Sequence, residues 1–175
     1  MTLEDCTVAF LLTDGFEDSE LTSPWAAVTD AGARASLVSP ADIKVVGKNG
    51  YEQGVDLPVA TAQAADFDAL VLPGGVVNAD DLRLSADAVA FVRAFVEAGK
   101  PVGVICHGAW ILVEADAVRG RRLTSYPSLR TDLTNAGAQW VDEEVVVDGP
   151  FVSSRTPDDL PAFDEALVAA IGTAG

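Results

Sequence analysis

The chain has 175 residues, 49% hydrophobic and 22% charged, a composition of soluble globular proteins that reads as one domain over residues 1–175. With 11 basic against 27 acidic residues the net charge is −16, which repels a nucleic-acid backbone and argues against nucleic-acid binding. The longest apolar runs, residues 8–12 and 102–105, fall far short of the ~20 residues of a membrane span.

The N-terminus carries acids where a secretory signal would carry basic residues, so a cytoplasmic protein with no membrane partner is expected. Cys6, Cys106 and the single histidine, His107, make neither a disulfide framework nor the ligand set of a zinc site. No metal is expected.

Residues 6–13 form a β-branched, apolar run ending at Asp14-Gly15, the pattern of a strand buried on both faces. Ser23-Pro24 followed by an apolar stretch and Gly32 predicts a helix with proline near its start. Residues 35–39 predict a second strand, and Asn49-Gly50 between extended segments predicts a hairpin within residues 43–55. Residues 69–72 read as a buried strand stopped by Pro73-Gly74-Gly75. Ser85 caps a predicted helix reaching Ala98, with Gly99 closing it. Residues 101–105 form the next strand, so Cys106 stands at a joint between that strand and a helix from Ala109 to Glu114. A helix over residues 128–136, a hairpin turning at Asp148-Gly149 and a last helix over residues 158–171 complete the pattern. Strands alternating with helices predict an α/β domain with a mostly parallel sheet covered on both faces.

In such sheets ligands bind beyond the carboxyl ends of the strands. Three segments reach that edge: residues 14–20, residues 73–75 and Cys106-His107-Gly108. A thiol at a helix start faces the positive end of the dipole, which favours thiolate, so Cys106 is the candidate nucleophile. The competing reading is an inert buried cysteine; Cys6 is read as structural. His107 is the only available imidazole partner, although neighbouring side chains in an extended segment diverge, leaving a base or a ligand-contacting role open. Glu17 is either a protonated carboxyl donating to the sulfur or an acid at a helix start. Gly74 and Gly75 could offer backbone N–H groups to an oxyanion. No GxGxxG, P-loop or GxSxG motif is present, which removes the nucleotide-binding and serine-hydrolase readings.

The segments Gly15-Phe-Glu-Asp-Ser-Glu-Leu21, Phe67-Asp-Ala-Leu-Val-Leu-Pro-Gly-Gly75, Gly99-Lys-Pro-Val-Gly-Val-Ile-Cys-His-Gly108 and Thr124-Ser-Tyr-Pro127 resemble the PfpI family of the ThiJ/PfpI superfamily. Asn135-Ala-Gly-Ala-Gln-Trp-Val-Asp142, Val145-Val-Val-Asp-Gly149 and Val152-Ser-Ser-Arg155 extend the resemblance over almost the whole chain. It implies a flavodoxin-like three-layer sandwich with β-hairpin excursions and no cofactor. It further implies a nucleophilic Cys106 on a strained elbow, with Glu17 bonded to its sulfur and His107 beside it. Asp80 matches an acid that a neighbouring subunit supplies to the histidine in peptidase-like members. That residue is usually Glu, and Asn78-Ala79 departs from the proline-containing turn that normally precedes it. Tyr126 matches a pocket tyrosine.

The resemblance implies a homodimer or higher homo-oligomer acting on a small carbonyl or a peptide. A stress-protective enzyme with glyoxalase- or deglycase-type chemistry is the leading expectation. An intracellular cysteine peptidase and a non-catalytic redox sensor or holdase are the alternatives.

Overall fold

In the computed structural model, which describes residues 2–174, the strongest apolar runs form the middle of a seven-stranded sheet. The elements in chain order are β1 (Thr7–Leu11), α1 (Asp18–Asp30), β2 (Arg34–Ser39), β3 (Lys44–Val46), β4 (Glu52–Gly54), β5 (Leu57–Pro58) and β6 (Ala69–Leu72). They continue with α2 (Val76–Leu84), α3 (Ala86–Glu97), β7 (Val102–Ile105), α4 (Trp110–Glu114), β8 (Arg122–Leu123), α5 (Arg130–Asn135), β9 (Gln139–Trp140), β10 (Val145–Asp148), β11 (Phe151–Ser154) and α6 (Leu160–Ala174). The sheet order is β10-β11-β7-β6-β1-β2-β5, with every pairing parallel except β10 with β11.

Because successive side chains of a strand face opposite sides, one apolar run feeds two cores. Val8, Phe10 and Leu12 pack with Leu21 and Val28 of α1 and with Phe163, Leu167 and Ile171 of α6. Ala9 and Leu11 pack on the other side with Phe91, Val92 and Phe95 of α3 and with Ile111 and Leu112 of α4. Full burial of each large apolar side chain here contributes about 1.5–3 kcal/mol. The result is the flavodoxin-like sandwich, with its two hairpins, β3–β4 and β10–β11, where the Gly turns lie.

Three local outcomes differ from the sequence-based expectations. Helix α1 begins at Asp18, so Pro24 lies inside it rather than near its start. Asp18 and Glu20 occupy the first turn, where carboxylates favour the dipole, and the buried Leu21, Pro24 and Val28 hold the helix against the sheet. Helix α2, between Gly75 and Ser85, was not expected; its nine residues have weak amphipathic periodicity. The segment from residue 128 opens as a 3₁₀ turn, Pro127–Leu129, and becomes α-helical only at Arg130. By contrast Ser85 caps α3 as its type predicts, its Oγ accepting from Ala88 N at 3.2 Å.

Strand β1 lies between β2 and β6, so the chain leaves β1 toward one side of the sheet and later returns to the other. The carboxyl ends of β1, β6 and β7 therefore open together at a topological switch point.

Candidate active site

Strand β7 ends at Ile105, and the next residue, Cys106, takes φ of 60° before a 3₁₀ turn, Cys106–Ala109, leads into α4. A non-glycine residue in this region is strained by roughly 1–3 kcal/mol, and surrounding contacts must hold it there. They do: the Cys106 carbonyl accepts from Tyr126 N at 3.1 Å, and Gly108 is pressed against the Leu72 and Pro73 carbonyls, leaving no room for a Cβ. The elbow turns the thiol toward the switch point and brings adjacent side chains together: Sγ lies 3.3 Å from His107 Nδ1.

The carboxyl beside the sulfur belongs to Glu20, not to Glu17. Glu20 is fully buried in α1, and its Oε2 accepts from Gly74 N at 2.7 Å. Glu17, buried at the N-cap of the same helix, turns toward the β3–β4 hairpin, where it pairs with Lys48 and accepts weakly from Ser19 Oγ and Asn49 Nδ2. The physical reason is the helix start itself. At the N-cap Glu17 meets the hairpin residues Lys48 and Asn49, whereas Glu20, within the first turn, reaches the Gly74 amide at the end of β6.

Burial raises the Glu20 carboxyl to about 7, against the pull of the Gly74 amide. Burial, and then the Glu20 charge, push the Cys106 thiol up to about 12, while the backbone N–H groups of His107 and Gly75 act in the opposite direction. His107 is held below its usual value by burial and by the positive charge of Lys48.

Gly75, at φ of 92°, is the N-cap of α2, and a Cβ there would strike the Gly15 carbonyl and stand 2.7 Å from Phe16 Cα. Only glycine brings this amide to the sulfur. Gly74 lies directly beneath, where a Cβ would collide with Glu20 Oε2 and Cys106 Cβ. Buried Asn78, which no motif had singled out as a site residue, stitches the loops: its Oδ1 accepts from Thr13 N at 2.7 Å, and its Nδ2 donates to the Pro73 and Gly74 carbonyls at 3.1 and 2.9 Å.

The β3–β4 hairpin brings in Lys48. Asp18 accepts from Asn49 N at 3.0 Å and Tyr51 N at 2.8 Å, and Asp14 accepts from Val46 N at 2.8 Å, clamping the turn to the start of α1. Glu17, Glu20, Lys48, Cys106, His107 and Tyr126 line one cleft of about 520 Å³, walled by the exposed Val76 and Val77. Tyr126 stacks on the His107 ring with centroids 4.6 Å apart, and Trp110 meets the ring edge-on at 5.8 Å.

Asp80 is not part of this cleft: it lies exposed on α2, and the His107 ring instead meets Ser128, with Nε2 at 3.3 Å from its Oγ. Ser128 was read only as a helix start. Among the described residues no group of three or more His, Cys, Asp or Glu side chains could hold a metal ion, and no helix is long and apolar enough to cross a membrane.

Residues 6–170 match the DJ-1/PfpI family. The chain belongs to the DJ-1/PfpI family. It is 46% identical over 161 residues to Deglycase PH1704 of Pyrococcus horikoshii, covering 92% of this chain and 96% of that protein. It is 45% identical over 168 residues to Protein/nucleic acid deglycase 2 of Escherichia coli, covering 94% and 97%. It is also 46% identical over 158 residues to Bacillus subtilis YraA, whose name includes the words cysteine protease, covering 90% and 93%. Among solved structures, a two-domain Anabaena variabilis protein with DJ-1/ThiJ/PfpI-like and ferritin-like domains superimposes with a TM-score of 0.93 at 35% identity, covering 98% of this chain and 49% of that one. Drosophila melanogaster DJ-1beta superimposes with a TM-score of 0.85 at 25% identity, covering 99% and 96%. The family and fold expected from the sequence motifs are therefore those of the protein.

Proposed function

We propose that the protein is a stress-protective, cytoplasmic enzyme in which Cys106 attacks small α-oxoaldehydes or their adducts. The observation that carries this reading is the Cys106 elbow. A strained φ of 60° presents the sulfur to a cleft, with His107 Nδ1 at 3.3 Å; burial and Glu20 raise the thiol rather than lower it as its place at a helix start suggested, and the His107 and Gly75 amides offset only part of that rise. The deglycase names of the Pyrococcus and Escherichia relatives support the same chemistry.

For an α-oxoaldehyde such as methylglyoxal, the sulfur adds to the aldehyde carbon. An S–C bond forms, the C=O π pair moves to oxygen, and that oxygen takes up a proton in place of the one the thiol loses. The two amides that had favoured the thiolate face the developing alkoxide. His107 or Glu20 then takes the C–H proton of the former aldehyde carbon, an enediol forms, and a proton returns to the neighbouring carbon. The aldehyde carbon is thereby oxidised to a thioester while the ketone carbon is reduced to an alcohol, with no external oxidant. Water cleaves the thioester, restoring the thiol and releasing a 2-hydroxycarboxylate. Glu20, poised near neutrality, suits both directions of proton transfer.

Amide cleavage is the second reading, supported by the name of YraA. It requires an acid at His107, which would be Asp80 of another copy in a homodimer or larger assembly. Carbonyl addition makes no such demand. Methylglyoxal consumption with stoichiometric lactate formation tests the proposal, and Cys106→Ala abolishes it; an undiminished rate in that variant overturns the reading. Turnover of a fluorogenic peptide lost in both Cys106→Ala and Asp80→Ala would favour the peptidase.

A further inference from the structure

The third place of the thiol–imidazole arrangement is filled within the chain by a hydroxyl. His107 Nδ1 lies 3.3 Å from Cys106 Sγ, and Nε2 lies 3.3 Å from Ser128 Oγ. The ring is 7% exposed and held between Tyr126 and Trp110, so its two nitrogens do not exchange partners without unstacking. Ser128 itself is exposed, at the 3₁₀ turn preceding α5. It joins a buried imidazole to solvent.

A carboxylate in this place only accepts, which fixes one tautomer and stabilises imidazolium. A hydroxyl donates or accepts. With Cys106 as thiol, S–H donates to Nδ1 and Nε2–H donates to Ser128 Oγ. With Cys106 as thiolate, Nδ1–H donates to the sulfur and Ser128 O–H donates to Nε2. Between the two, the sulfur proton moves to Nδ1, the Nε2 proton moves to Ser128 Oγ, and the hydroxyl proton of Ser128 passes to water. One proton leaves the sulfur, one reaches solvent, and the ring is neutral at both ends.

We propose that Ser128 is a positioning residue that orients His107 and switches between accepting and donating as Cys106 loses its proton, giving that proton an exit within one protomer. Its catalytic consequence rests on Cys106 being the nucleophile proposed above. The ionisable groups around the ring are Cys106, the Tyr126 phenol stacked on it, Lys48 from the hairpin, and Glu17 and Glu20 from the start of α1. Burial keeps the ring neutral, as the relay needs.

His107 is the chain's single histidine, so protein labelled with ¹⁵N-histidine gives one pair of ring-nitrogen signals. The full chain near neutral pH is expected to show the Nε2–H tautomer, and Cys106→Asp, with a fixed anion at the sulfur's place, the Nδ1–H tautomer. Ser128→Ala loses this dependence and slows Cys106 alkylation by iodoacetamide about three- to tenfold, the effect of one hydrogen bond; Ser128→Thr restores both. The same tautomer in both proteins, a doubly protonated ring in Cys106→Asp, or a Ser128→Ala spectrum identical to wild type overturns the proposal. Carbonyl turnover by the wild type is assayed separately. Its absence would remove the proposed activity while the ring signals still decide the role of Ser128.

Discussion

The Glu20 carboxyl lies beside Cys106, and its negative charge opposes loss of the thiol proton. Such a pair loses its protons in two steps that belong to both groups. In a Cys6→Ser background, the rate of Cys106 alkylation against pH is therefore expected to rise in two stages, the lower near neutrality. Glu20→Gln keeps a donor at the sulfur but removes the charge. One stage should remain, with alkylation at pH 8 faster than wild type by about tenfold, the lower end of what a neighbouring charge does. A two-stage profile surviving in Glu20→Gln would show that this carboxyl does not govern the thiol.

The same burial gives folding stability an unusual pH dependence. A carboxyl raised in the folded state keeps its proton where the unfolded chain has lost it, so its contribution weakens as pH rises between the two values. For Glu20, raised from 4.5 to about 7, the loss across that window is about 3 kcal/mol. Asp164 acts in the same direction, because burial raises it more than the 2.5 Å bond from Ser23 Oγ lowers it. Asp159 opposes them only in acid: burial would raise it, but Arg155 holds it low, so its contribution is lost as pH falls through that lowered value. His107, held below its usual value by burial and Lys48, opposes them as pH falls through this window, but the larger shift is that of Glu20, so urea midpoints should be higher at pH 5 than at pH 8. Glu20→Gln and Asp164→Asn should each narrow the gap, and an unchanged gap in both would contradict the assignment.

Asn78 joins the ends of β1 and β6 through three backbone groups, and no water reaches it to replace them. Asn78→Ala leaves the Thr13 amide and two carbonyls without this partner, at a cost of about 2–4 kcal/mol. In a chain of this size each kcal/mol moves Tm by about 2–4 °C. A clear fall in Tm, with slower Cys106 alkylation as the Pro73–Gly75 loop loosens, is expected; a Tm unchanged by Asn78→Ala would show that the loop is held by other contacts.

The central sheet was legible because its strands are apolar on both faces, and the two hairpins because Asn49-Gly50 and Asp148-Gly149 permit positive φ at their glycines. Cys106 was legible as a strand-to-helix joint. Its contact with His107 was not, since the divergence of neighbouring side chains assumes an extended backbone and Cys106 takes φ of 60°. Glu17 and Glu20 are three residues apart, and which of them reaches the sulfur depends on where α1 starts; a start at Ser23-Pro24 puts both ahead of the helix. Ser128 and Asn78 are short polar residues whose roles arise only from tertiary neighbours, and α2 lacks the apolar stripe by which helices are recognised.

The Glu17–Lys48 pair places a cation in the cleft of a chain carrying a net charge of −16. Lys48 is half exposed, whereas the Glu17 side chain is largely covered, so Lys48 is the partner free to turn toward a ligand. The product of the proposed reaction is a carboxylate, and Lys48 is the cation positioned to meet it. Reagents of similar shape and different charge separate this effect from packing: iodoacetate is an anion and iodoacetamide is neutral. Lys48→Met should slow alkylation of Cys106 by iodoacetate relative to iodoacetamide by about fivefold at low salt, a Coulomb energy near 1 kcal/mol. Glu17→Gln should shift the ratio the other way, and both shifts should shrink as added salt screens the exposed ammonium. Equal slowing of the two reagents in Lys48→Met would instead mean that Lys48 acts by holding the β3–β4 hairpin in place.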